Sequence, residues 1–155
     1  MPLKTKITAE EGKQDMLITR DFDLPVSLLF RAYTEAELLE QWMGTKVMKL
    51  DMKQHGSYRL ETSNPQGIVV LKMNGTIHKV ITDELIVRTF EMENTPYPIH
   101  LEFLQFEKLT EDTSRLRMHA IYKSGADRDE ILKLPFAQGL NMAHNRLEEI
   151  LKNLK

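Results

Sequence analysis

The feature that most constrains this chain is a change of period near residue 134. Upstream, strand-length segments follow one another at hairpin spacing; downstream, Phe136, Leu140, Ala143, Leu147, Ile150, Leu151 and Leu154 recur at steps of three and four. The downstream pattern is that of a helix with one buried stripe, and at 1.5 Å per residue it makes a rod roughly 30 Å long, enough to cross a whole sheet. A rod with one apolar face must be laid on a second layer, and the strands before it supply that layer.

The strands and two short helices can be placed from local signals. Met16, Ile18, Arg20 and Phe22 alternate with Leu17, Thr19 and Asp21, which predicts a first strand. Asp23 is positioned to cap a short helix that takes Pro25 in its first turn and runs to about Tyr33. Thr34 and Glu37 stand in capping-box spacing before a second helix, with Leu38, Leu39 and Trp42 on one face and Gly44 at its end. Further strands are predicted over residues 45–52, 57–62, 68–81, 85–92, 99–108 and 114–122, with Asn74-Gly75 read as a bulge inside the longest. A helical turn over 127–132 leads into the long helix, whose first turn accommodates Pro135. Seven successive strands predict an α+β domain with a curved antiparallel sheet. One domain is expected over 1–155, its first 14 residues loosely ordered.

Composition excludes several classes of function. At 155 residues the chain can bury a core without cross-links. A net charge of −2 gives no field that favours nucleic acid or anionic lipid. There is no cysteine, hence no disulfide, thiolate ligand or thiol nucleophile. The opening MPLKTKITAEEGKQD is polar and holds neither a secretory core nor a membrane span, so a soluble, cytoplasmic protein is expected.

The run from Arg20 to Gly44, with its FDLP start and AYTEAELLEQW body, resembles the proteins related to the activator of heat-shock protein 90 ATPase, within the START/SRPBCC superfamily. VMKLDMKQHGSY from Val47, GTIHKVITDELIVRTF from Gly75 and GLNMAHNRLEEIL from Gly139 extend the resemblance over about residues 15 to 154. Where many relatives have paired tryptophans this chain has Trp42-Met43, and where a paired-glycine turn is common it has His55-Gly56. The resemblance implies a helix-grip fold: a seven-stranded sheet wrapped around the C-terminal helix, two short helices after the first strand, and a cavity between sheet and helix.

Candidate lining residues for such a cavity are Trp42, Tyr58, Met73, Leu101, Phe103, Leu116 and Met118, with Phe136 and Met142 from the long helix. Each has the alternative of ordinary core packing, and Trp42 can staple the second short helix to the sheet as well as wall the cavity. Nine methionines suit a deformable apolar pocket. The five histidines have no metal-ligand spacing: His55 falls in a turn and His144 beside the exposed face of the helix, while His100 and His119 lie on neighbouring strands within reach of Glu102. No metal, cofactor or catalytic set is therefore assigned. Among the charged strand residues, Arg59, Arg115 and Arg117 are expected to face outward. An inward one, from a set that also includes Arg88, Glu91 and Glu102, would supply the polar anchor of an apolar pocket.

Three functions fit these observations. The first is non-enzymatic binding of a small hydrophobic or amphipathic ligand by a monomer or homodimer. The second, implied by the resemblance, is a chaperone-associated role in the stress response. The third is a polyketide cyclase-like or hydrolase-like enzyme, which would need an acid or base among His100, Glu102, His119 and Tyr122, two of which must face outward if the strands are regular. An inward titratable pair at one cavity favours catalysis; an all-apolar wall disfavours it.

Overall fold

The structure, a computed structural model, describes residues 3–155. The element order is β1 (Lys6–Thr8), β2 (Asp15–Phe22), α1 (Val26–Thr34), α2 (Ala36–Met43), β3 (Lys46–Leu50), β4 (Ser57–Ser63), β5 (Val69–Ile81), β6 (Leu85–Met92), β7 (His100–Lys108), β8 (Ser114–Ile121), α3 (Gly125–Leu132) and α4 (Phe136–Lys152). The strands form one antiparallel sheet in the order β1-β2-β8-β7-β6-β5-β4-β3. The meander β3 to β8 is sequential, and β2 joins it by pairing with β8 over its full length, from Asp15↔Ile121 to Phe22↔Ser114. The α1–α2 pair carries the chain from β2 to the opposite edge at β3, so these helices and α4 share the inner face. No helix among the described residues is long and apolar enough to cross a membrane.

Among the described residues the sheet has eight strands, one more than expected. The extra strand, β1, lies within the segment expected to be loosely ordered. It pairs with β2 (Ile7↔Ile18), and Asn141 of α4 fixes its start by accepting from the backbone N–H of Lys4 and Thr5, both at 2.9 Å. Polar composition did not forbid a strand here because an edge strand needs only one apolar contact and a ladder. Residues 1 and 2 of that segment lie outside the described residues.

The helix caps differ from the expected ones. Asp23 does not cap α1: its N–H donates to Glu148 of α4 at 2.8 Å and its carboxylate faces Lys152 and Lys155, so it ties the first helical corner to the end of α4. Pro25 occupies the cap position, its carbonyl accepting from Leu28 and Leu29. Thr34 bonds back to the Phe30 carbonyl at 3.0 Å and Glu35 takes the α2 cap position without a side-chain bond. Gly44 does end α2, at φ 64°, a conformation that favours glycine.

The Asn74-Gly75 pair is no bulge; the register shift between β5 and β6 falls between Ile77 and Lys79. Gly75 is required for another reason. The Tyr58 phenol crosses it to donate to the Thr89 carbonyl at 2.6 Å, and a Cβ at residue 75 would overlap both groups.

Beneath α4 the inner face is packed at one end. Phe22, Leu24, Ile77, Ile86, Leu104, Phe106, Leu116, Leu147 and Leu151 form a continuous buried cluster there. Removing the Asn141 acceptor by Asn141→Ala leaves the Lys4 and Thr5 amides, just before β1, unpaired and is expected to cost about 1–3 kcal/mol. Denaturant titration measures the cost, and amide exchange should accelerate selectively at residues 4 to 8.

Candidate functional site

Each inward-facing row of side chains runs from the packed end into open space. On β2 the series Phe22, Arg20, Ile18, Met16 passes from core to cavity wall; on β8 and just beyond it the series is Leu116, Met118, Ala120, Tyr122. On β6 the series is Ile86, Arg88, Phe90, Met92, and on β7 it is Phe106, Leu104, Glu102, His100. Helix α4 does the same, with Leu151 and Leu147 packed and Ala143, Leu140 and Phe136 over the hollow. The result is a cavity of ≈ 310 Å³, at the small end of the roughly 300–1,000 Å³ usual for small-molecule pockets. Trp42, Met43, Tyr33 and Leu39 close it from the short helices, while Tyr97, Pro98, Ile131 and Leu134, only partly buried, lie on its water-facing side.

One polar cluster interrupts this apolar wall. Glu102 is its centre: one carboxylate oxygen accepts from Arg88 Nε at 2.9 Å and the other meets His100 Nε2 at 3.0 Å. The Arg88 guanidinium lies over the Tyr58 ring, 5.1 Å from its centroid, and His100 is flanked by Phe90 and Tyr122 with ring centroids 5.3 and 4.8 Å away. Burial alone would push the Glu102 carboxyl up, but Arg88 and the His100 hydrogen bond outweigh it and hold the group at about 2. Burial pushes the Tyr122 phenol up to about 12, with Glu102 adding to the shift.

A second buried polar group sits where β1, β2 and α4 meet. His144 has no exposed surface; its Nδ1 lies 2.8 Å from Thr5 Oγ1 and its ring packs edge-on against Phe22. Burial, with the nearby Arg20 charge, pushes its imidazole down to about 3. This corrects the expected solvent exposure of His144, since Leu140, His144, Leu147 and Leu151 form a single 4-3-4 row on the buried stripe.

Of the nine expected lining residues, the structure brings Trp42, Tyr58, Met118 and Phe136 to the cavity. Met73 and Leu116 face inward but belong to the packed core. Leu101 and Phe103 lie on the outer face, where Phe103 sits 6.3 Å from His119, and Met142 is 63% exposed on the solvent side of α4. The β7 pattern is ambiguous, since each parity carries two apolar residues. Packing of Phe106 against Phe30 and Tyr33 of α1 selects the parity that also turns His100 and Glu102 inward. Three of the four candidate acid–base groups, His100, Glu102 and Tyr122, therefore line the cavity instead of two. His119 points outward onto Asp15 at 2.6 Å, so it shares no site with His100. Arg59, Arg115 and Arg117 pair on the outer surface with Glu93, Asp21 and Glu107, as expected.

Neutralising the cluster's centre strands a buried guanidinium. Glu102→Gln is expected to destabilise the fold by about 3–5 kcal/mol, whereas the double variant Arg88→Leu/Glu102→Leu should recover most of that loss. Acid should destabilise the wild type in two overlapping stages. Both groups sit below their ordinary values of about 6.5 for His and 4.3 for Glu, so each stabilises most above that value. The His144 contribution drains as pH falls from about 6.5 towards 3, and that of Glu102 from about 4.3 towards 2. Urea midpoints against pH check both, with the double variant lacking the lower stage.

Comparison with known proteins agrees with this architecture. The crystal structure of protein Ms6760 from Mycobacterium smegmatis superposes with a TM-score of 0.82 at 19% identity, covering 97% of each chain. A crystal structure from Rhodobacter sphaeroides gives 0.82 at 18% identity, covering 96% of this chain and 99% of that one. DynU16, from the dynemicin biosynthetic locus, gives 0.70 at 12% identity, covering 92% of this chain and 49% of that one. At these identities the likeness establishes the helix-grip fold alone. A search of curated protein sequences returns no match. The sequence profile described as Activator of Hsp90 ATPase homolog 1-like protein matches residues 23–152. With the match spanning most of its length and the fold in agreement, the chain belongs to the Activator of Hsp90 ATPase homolog 1-like family.

Proposed function

We propose that this protein binds a small apolar or amphipathic molecule in the cavity between α4 and the sheet and does not transform it. The observation that carries the reading is the half-hollow interface itself: inward rows that pack solidly at one end leave ≈ 310 Å³ open at the other, walled by methionine and aromatic side chains. Apolar ligand surface buried there contributes about 25 cal/mol per Å². The absence of cysteine from the chain suits a reducing, cytoplasmic setting.

Catalysis is a second reading, and the inward titratable groups His100, Glu102 and Tyr122 at one cavity favour it. Glu102 holds the His100 imidazole by Nε2, as an orienting carboxylate holds a general base, inside a cavity that also contains the Tyr122 phenol. A cyclase- or hydrolase-like reaction would lose its turnover in His100→Gln while retaining substrate binding. Pure binding would show no turnover to lose.

Native mass spectrometry of protein purified from its own source is expected to show a small-molecule mass increment. Ala143→Phe, which places a ring in the cavity from a half-buried position of α4, should abolish both that increment and any thermal shift given by lipids, fatty acids or aromatic metabolites. An empty protein that no such compound stabilises, and that co-purifies stoichiometrically with a chaperone, would replace ligand binding by the protein-binding role named in the family's description.

A further inference from the structure

We propose that the cavity selects a ligand whose polar end is an uncharged hydrogen-bond acceptor, such as a ketone, ester or quinone carbonyl, in preference to a carboxylate or a plain hydrocarbon. The inference rests on the ligand-binding reading above and adds the chemical class of the ligand.

It follows from which polar groups of the wall already have partners. Tyr58 donates to the Thr89 carbonyl and Trp42 Nε1 to the Ala32 carbonyl at 2.8 Å, so neither is free for a guest. Each Glu102 oxygen is already engaged, one by Arg88 and one by His100. Arg88 differs. Its Nε is used, but among the described residues neither terminal nitrogen has a hydrogen-bond partner, and the side chain, 11% exposed, lines the cavity. The buried Arg20 is the contrasting case, with Nε and Nη2 sealed from solvent and without a hydrogen bond, Nη2 lying 3.9 Å from Glu148. Tyr122 likewise lines the cavity with no partner for its hydroxyl among the described residues, and burial keeps that phenol protonated. Against one remaining ring nitrogen, His100 Nδ1, the wall offers two Arg88 terminal nitrogens and the Tyr122 hydroxyl, so donors are in surplus and a guest that completes them must bring an acceptor.

Charge decides which acceptor. The ionisable groups facing the cluster are Arg88 from β6, His100 and Glu102 from β7, Tyr122 after β8, Tyr58 from β4 and Tyr33 from α1. With the phenols protonated, Arg88 and Glu102 cancel. A guest carboxylate would add an uncompensated negative charge among Phe90, Met92 and Met118, at a desolvation cost that one shared guanidinium does not offset. A carbonyl oxygen meets the same donors without that cost.

The test uses acetylnaphthalene, naphthoate and ethylnaphthalene, substituted at the same ring carbon and close in shape, titrated calorimetrically at one mildly alkaline pH. The ketone should bind about tenfold tighter than the hydrocarbon, the difference made by one hydrogen bond to a charged donor, and tighter than the acid. Its infrared carbonyl stretch should move to lower frequency on binding. In Arg88→Leu/Glu102→Leu the ketone-to-hydrocarbon ratio should fall to about one and the stretch should revert. A hydrocarbon that binds as well as the ketone, an unshifted stretch, or an acid that binds tightest overturns this inference and leaves the pocket standing. If none of the three binds, the pocket reading falls and takes this inference with it.

Discussion

The fold depends on helix α4 being fastened chiefly through its second half, with Asn141 an earlier tie that accepts from the Lys4 and Thr5 amides. Leu147 and Leu151 are buried in the core, His144 is locked between Thr5 and Phe22, Arg146 donates to the Trp42 carbonyl at 2.9 Å, and Glu148 receives the Asp23 amide. All of these ties except Asn141 fall in the second half of the helix. The first half carries Ala143, Leu140 and Phe136 over a space that no side chain fills. Because the second half supplies most of the contacts that fix the helix, the apolar side chains of the first can stand away from the sheet without loss of register. Stability and capacity are thus divided along a single helix.

Such a hollow is costly in an ordinary core, since missing contacts destabilise by about 24 cal/mol for each Å³ left empty. Placing a charged cluster on its wall adds desolvation. Arg88, Glu102 and His100 offset that desolvation within the cluster, each with a partner already in place, and the ring faces of Tyr58, Phe90 and Tyr122 pack around them. The cluster is consequently rigid before any ligand arrives, which lowers the ordering cost of binding. A merely structural ion pair has no need to leave two guanidinium nitrogens without a hydrogen-bond partner on a cavity wall.

Much of this was legible in the residue pattern, for identifiable reasons. The long apolar stripe, the Gly44 stop and the β6 limits all rest on strong local periodicity or on a backbone conformation that favours glycine. The β6 row of Ile86, Arg88, Phe90 and Met92 even places an arginine among apolar neighbours of the same parity, which is the signal that finds Arg88. The β7 row could not be resolved locally, because His100, Glu102, Leu104 and Phe106 balance Leu101, Phe103, Gln105 and Glu107; contact with α1 decides it. Strand β1 was hidden for a similar reason, as its acceptor on Asn141 lies more than a hundred residues away. The caps at Asp23 and Thr34 were misplaced for two different reasons: Glu148, Lys152 and Lys155 claim Asp23 from a distance, while the Thr34 hydroxyl bonds back to the Phe30 carbonyl of its own helix.

The central claim, an unfilled and apolar space beneath the first half of α4, is open to a direct measurement. Crystals pressurised with xenon should show an ordered atom among Ile18, Met118, Leu140 and Ala143, with the packed end beneath Leu147 unoccupied. Side chains collapsed into that space, with no xenon bound, would contradict it.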